Sequence, residues 1–119
     1  HAKDFVEAQW LILQQKKPDD YVIATGKQYS VKQFVNYACT ELGIKIYWRG
    51  NGIKEKAFDA KGNVIVECSK KYFRPAEVET LLGDPSKARK KLKWRPKVEI
   101  KELVKEMIES DLKILSKND

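Results

Sequence analysis

The chain opens on a run in which apolar residues return every three or four positions. Ala2, Phe5, Val6, Ala8, Trp10, Leu11, Ile12 and Leu13 occupy more than one stripe of a 3.6-residue wheel. The run predicts a helix over 3–17, stopped by Pro18, with Lys16 and Lys17 suited to its negative end. No capping residue is expected ahead of it. A helix apolar on two sides needs packing on two sides. One side can use the chain's own core; the other asks for a neighbour, so the chain reads as the C-terminal piece of a longer polypeptide. Next, "YVIAT" at 21–25 is continuously apolar and predicts a short strand buried on both faces.

Gly26 ends that strand and Ser30 opens a second helix, "SVKQFVNYACTELG". Ser30 and Gln33 have capping-box spacing, and Gly43 suits the position just past the helix end. "IKIYW" at 44–48 predicts a strand, and "RGNG" at 49–52 a loop. "KAFD" and "NVIVEC" flank "AKG" and read as a hairpin. Asp84 is expected as N-cap of a third helix with Pro85 at its first position, running to about Leu92. A last helix over about 100–116 aligns Leu103, Val104, Met107, Ile108, Leu112 and Leu115. The pattern is α/β: helices dominate, with a few short strands, in one domain over 1–119.

Composition narrows the partners more than the fold. The 119 residues are 42% hydrophobic and 34% charged, a globular balance with room for a self-sufficient core. The net charge of +7 favours anionic partners. Its densest run, "KARKKLKWRPK" at 87–97, reads as a solvated helix face, because Trp94 inside it serves best as a core anchor. Trp10 reads as core or interface. Cys39 and Cys68 match no metal spacing and are expected as two buried thiols in a reducing cytoplasm. No apolar run reaches the ~18 residues of a membrane span, so no membrane partner is expected.

The chemistry that is readable lies in "KKYFRPAEVETLLGD" at 70–84. Pro75 fixes its own φ and holds Arg74 out of the helical region. The guanidinium of Arg74 can therefore offer two parallel N–H bonds to a phosphate from a stiff segment. Glu77 only accepts hydrogen bonds and suits a diol such as a ribose. On spacing alone, an Arg74–Glu77 surface ion pair worth under about 1 kcal/mol explains the loop equally well. No glycine-rich strand-to-helix turn for a dinucleotide is present, no Tyr-x-x-x-Lys pair stands on a helix, and one histidine with two distant cysteines makes a poor metal site. No catalytic residue is assigned, and neither a cofactor nor a metal is expected in this chain.

"KYFRPAEVETLLGDPSKARKKLKWRP" resembles the C-terminal signature of the GDP-mannose 4,6-dehydratases, extended short-chain dehydrogenase/reductases. "HAKDFVEAQWLILQ", "DDYVIATGKQYSVKQFV" and "ELVKEMIESDL" resemble the family's other segments in the same order. The resemblance implies a small C-terminal substrate-binding domain of an extended enzyme whose N-terminal Rossmann domain, absent here, binds NADP and carries the catalytic residues. It implies GDP-mannose as substrate, a homo-oligomer, and a cytoplasmic lyase of GDP-fucose and GDP-rhamnose synthesis yielding GDP-4-dehydro-6-deoxy-D-mannose and water. Carried over residue by residue, it places Arg74 on the diphosphate, Glu77 on the nucleotide ribose and Lys71 in support. It sets 49–55 near the guanosine pocket without assigning a residue there. A related sugar-nucleotide reductase or epimerase fragment stays open, as does a basic nucleic-acid-binding module. The aromatics among the charges favour a core over the latter.

Overall fold

The computed structural model describes residues 1–74 and 80–117. Its elements in chain order are α1 (Ala2–Leu13), α2 (Val31–Glu41), β1 (Tyr47–Arg49), β2 (Lys56–Phe58), β3 (Val64–Glu67), α3 (Ser86–Lys91) and α4 (Ile100–Leu115). Two 3₁₀ turns, Gly52–Lys54 and Lys70–Tyr72, flank the strands. The three strands form one antiparallel sheet in the order β1-β2-β3. Trp48 lies opposite Ala57, and Ala57 opposite Val66. The α/β expectation holds, with helices dominant.

Two kinds of interaction organise the helices. α2 is delimited locally. Ser30 Oγ accepts from Gln33 N–H while Gln33 Oε1 accepts from Ser30 N–H, the reciprocal box its spacing predicts. At its other end Gly43, at φ +69°, donates to Thr40 O, and Ile44 donates to Cys39 O. That pair of bonds is a Schellman closure, and its positive φ is why glycine stands there. α1 is instead anchored by distant residues. Ala8, Ala88, Leu92 and Trp94 form its core cluster, with Leu11, Ile12, Tyr21 and Ile23 packed around them. Trp94 is 2% exposed, the core anchor its position predicts, and its indole N–H donates to Asp4 O at 2.9 Å. The Asp4 carboxylate, also buried, accepts from both Lys97 N–H and Val98 N–H at 3.0 Å.

Several expectations need correction. α1 does have a cap: His1 Nδ1 accepts from Lys3 N–H at 3.0 Å. The helix also ends at Leu13 rather than 17: Gln15 N–H bonds to Ile12 O, a tighter i→i−3 turn, and Gln15 Nε2 takes up Leu11 O. Residues 21–25 join no ladder among the described residues. Tyr21 and Ile23 pack on the core while Val22 stays 54% exposed, so one face is buried, not two. β1 begins at Tyr47, since Ile44 is still engaged in closing α2. Pro85 takes the cap position of α3, and Asp84, one residue earlier, accepts from Ser86 N–H and Oγ. Those two bonds hold the Asp84 carboxyl below the usual carboxylate range.

Cys39 is buried, and burial pushes its thiol pKa up, but Cys68 is exposed. Trp10 is 60% exposed, which removes the core option for it. The 87–91 face is solvated but not idle: Lys87 and Lys91 both pair with Asp19, and Arg89 donates to Thr25 O. No helix among the described residues is long and apolar enough to cross a membrane.

Candidate functional site

The hairpin delivers the 69–74 segment. β2 and β3 pair with Lys56 opposite Glu67 and a bulge near Phe58, and Asp59 closes the turn by accepting from Lys61 and Asn63 N–H groups. β3 then runs out through Cys68 and Ser69 into the Lys70–Tyr72 turn, after which Phe73 is extended (φ −68°, ψ 128°). Arg74 follows, exposed. Lys71 Nζ stands 5.3 Å from the centre of the Tyr72 ring. Tyr72 and Phe73 are 73% and 53% exposed, large aromatic surfaces left in solvent. Lys71 and Arg74 are thus carried on one short exposed stretch. Pro75 and Glu77 lie outside the described residues, so the bracing proline and the diol acceptor are known from sequence alone.

The start of this segment, Ser69 and Lys70, borders a cleft of about 560 Å³ lined also by Ile53, Lys54, Lys56, Glu67 and Cys68. Three lysines face one carboxylate there. Lys56 Nζ sits 2.6 Å from Glu67 Oε2 and holds that carboxyl below its ordinary pKa. The cleft's net charge is positive, so it raises the local concentration of anions. Lys54 reaches it because the loop before β2 is tightly folded. Gly50, at φ +87°, passes so close to Lys54 that a Cβ would lie 2.5 Å from Lys54 O. Ile53 and Lys54 of the 49–55 loop share this cleft with Ser69 and Lys70, while Lys71 and Arg74 do not line it. Motif reading missed Lys54 and Lys56. Extending the hairpin register outward from Lys56–Glu67 would have found both.

β1 is pinned to α2 on the far side. Trp48 Nε1 donates to Asn36 Oδ1 at 2.8 Å, and Lys32 lies 4.9 Å over the Trp48 ring while pairing with Glu55. On the near side the Arg49 guanidinium lies 5.4 Å over the Phe58 ring. Among the described residues no cluster of His, Cys, Asp or Glu has the makings of a metal site.

Fold and edge together define a small α/β unit that presents a cationic cleft and exposed aromatics on one side. Comparison with known proteins says which family builds it. The family description GDP-mannose 4,6 dehydratase matches residues 1–107, and the chain belongs to that family. It is 56% identical over 115 residues to "GDP-mannose 4,6 dehydratase 2" of Caenorhabditis elegans, covering 97% of this chain and 30% of that protein. It is 46% identical over 129 residues to the Vibrio cholerae GDP-mannose 4,6-dehydratase, covering 99% of this chain and 35% of that protein. Against the Dictyostelium discoideum GDP-mannose 4,6 dehydratase it is 49% identical over 120 residues, 100% of this chain and 34% of that protein. The chain thus spans about a third of the length of the curated relatives it matches.

Proposed function

We infer that residues 1–119 are the C-terminal, sugar-nucleotide-binding part of an enzyme that converts GDP-mannose to GDP-4-dehydro-6-deoxy-D-mannose and water. The observation that carries this reading is the family match over residues 1–107, which contains the Arg74-Pro75-Ala76-Glu77 segment. Arg74 supplies bidentate N–H bonds to the diphosphate, Lys71 supports it, and Glu77 accepts from the ribose hydroxyls. Lys54 and Lys70 add a positive field on the approach side. The role of Glu77 rests on the resemblance.

The intact enzyme is read as a cytoplasmic, homo-oligomeric, NADP-dependent member of the extended short-chain dehydrogenase/reductases. The residues present here do not fit the dinucleotide. Its pyrophosphate needs a glycine-rich turn running from a strand into an α-helix, whereas Gly50 and Gly52 lead through a 3₁₀ turn into β2. No residue of this chain is assigned to the cofactor or to the chemical step, and the piece alone is expected to be inactive.

The full-length enzyme tests the reading. Incubated with GDP-mannose, it should yield a sugar nucleotide lighter by one water by mass spectrometry; absence of that product overturns the assignment. Arg74→Ala should raise KM for GDP-mannose about 10-fold or more, since each lost charge-assisted bond is worth about 1.5–3 kcal/mol. The kcat should change less, because no reacting group is assigned to this chain. An unchanged KM removes Arg74 from the site.

A further inference from the structure

Asn51 and Gly52 form an Asn-Gly pair in the loop between β1 and β2. Such a pair can modify itself. The glycine nitrogen attacks the side-chain amide carbon of the asparagine, and glycine has no Cβ to keep the two apart. Three asparagines lie among the described residues, and their surroundings differ. Asn36 Oδ1 accepts from the Trp48 indole N–H at 2.8 Å, and Asn63 Nδ2 donates to Asp59 Oδ2 at 2.9 Å. Each is followed by a bulkier residue, Tyr37 and Val64. Asn51 is exposed, and its side chain makes no cap bond to the turn that follows. Chain neighbours apart, no atom of the described residues lies within 4 Å of where a Cβ on Gly52 would stand. We propose that Asn51 is a self-modification site: it cyclises onto Gly52 when the Gly52–Lys54 turn opens and is spared while the turn is closed.

The closed turn misaligns the reacting atoms. Asn51 is extended (φ −137°, ψ 148°). Ring closure needs the Gly52 nitrogen rotated about the Cα–C bond of Asn51 until it eclipses Cβ, and at this ψ it stands well to one side. The same rotation swings Asn51 O away from the Lys54 N–H that donates to it at 3.2 Å. Reaction therefore requires that bond to break. The turn is short and largely exposed, held by this bond and by Glu55 N–H to Gly52 O at 3.0 Å, so it opens locally at small free-energy cost.

In the open state Gly52 N gives up its proton and bonds to Asn51 Cγ. The Cγ–Nδ2 bond breaks, and the amide leaves as ammonia with that proton. Water then opens the five-membered imide at either carbonyl. Opening at Cγ gives aspartate. Opening at the main-chain carbonyl gives isoaspartate, with the chain rerouted through Cβ and Cγ. Water is the only co-reactant. Isoaspartate lengthens the main chain by one carbon, so the Lys54 N–H no longer closes the same ring. Ile53 and Lys54 line the cationic cleft. The modification therefore reshapes that wall, and the new carboxylate weakens the positive field beside it.

The modification is read by mass and not by activity, so it stands or falls apart from the GDP-mannose reading. The full-length enzyme would be incubated at neutral pH in heavy-oxygen water and then digested in ordinary water with a protease that cleaves after lysine. Heavy oxygen then marks only conversion in the native enzyme. Peptide Ile46–Lys54 carries Asn51, while Gln33–Lys45 and Gly62–Lys70 carry Asn36 and Asn63 as references. The Asn51 peptide should take up heavy oxygen at least about tenfold faster than either reference, and as two chromatographically separate species, aspartate and isoaspartate. Equal rates at the three asparagines overturn the proposal, and this comparison needs no substitution. Gly50→Ala forces the loop open, because its methyl would lie 2.5 Å from Lys54 O. It should speed conversion at Asn51 severalfold and leave Asn63 at its parent rate. A rate at Asn51 equal to or below the parent's overturns the guarding role of the turn.

Discussion

The junction of α1 with residues 94–98 and the segment 69–74 are built on opposite rules. At the junction a tryptophan and a carboxylate are buried, and both are bonded to backbone groups about ninety residues away in sequence. In the segment two aromatic rings, two lysines and an arginine stand in solvent. The junction spends its polar atoms on its own backbone. The segment leaves its polar atoms facing outward, where a ligand can take them. If the segment serves recognition as proposed, stability and recognition are separable in this chain, and substitutions should sort by region.

The largest effect belongs to the junction. Trp94→Ala removes a side chain in contact with Ala8, Ala88 and Leu92 and deletes the indole N–H bond to Asp4 O. A loss of about 3–5 kcal/mol is expected, read as a fall in the denaturation midpoint of the full-length enzyme. A loss below about 1 kcal/mol would show that this cluster does not anchor α1.

Asp4→Ala should cost about 2–3 kcal/mol. It deletes two charge-assisted bonds and leaves the Lys97 and Val98 N–H groups in a partly buried place without an acceptor. If the regions are separable, KM for GDP-mannose in the surviving folded enzyme stays near the parent value. A KM shift matching that of Arg74→Ala would break the comparison.

These residues also mark how far the sequence could be read. The α2 box and the Gly43 closure were legible because each joins residues within five positions. Asp4 was not: nothing local says that an acidic residue in a first turn faces inward, and its partners lie at 97 and 98. Trp10 was ambiguous for the same reason, since an apolar stripe looks alike whether its cover is near or far. The 21–25 strand failed because a short apolar run specifies extended backbone but not a ladder partner. Of the candidate binding residues, Arg74 was singled out by the proline that follows it in the sequence. Lys54 was not, because only the hairpin register and the tight Gly50 turn bring it round.

Gly50→Ala tests the segment's own scaffold. The added methyl would sit 2.5 Å from a backbone oxygen at a positive φ, so the loop must open. About 1–2 kcal/mol is expected for the backbone conformation alone. The disturbance should be local. Hydrogen exchange should quicken at Lys54 and Glu55, whose N–H groups close the 3₁₀ turn onto Asn51 O and Gly52 O. Amides of α1 and α3 should keep their protection; if they too exchange faster, the two regions are one cooperative unit.

The smallest effect runs the other way and sharpens the contrast. Lys93 is the one non-glycine residue at positive φ among the described residues, at +56°, just past the end of α3. A left-handed backbone costs an ordinary L-residue about 1–2 kcal/mol, and glycine is the usual occupant of such a helix-end position. The strain persists because the neighbouring Trp94 is locked into the core and dictates where the chain must turn. Lys93→Gly relieves the strain but loosens the unfolded chain, which returns part of the gain. The net expectation is a stabilisation of about 0.5–1 kcal/mol with KM unchanged, measured by the same denaturation midpoint. A destabilisation would mean that the Lys93 side chain itself contributes to the junction. In that case burial of Trp94 would not be sufficient to hold the turn.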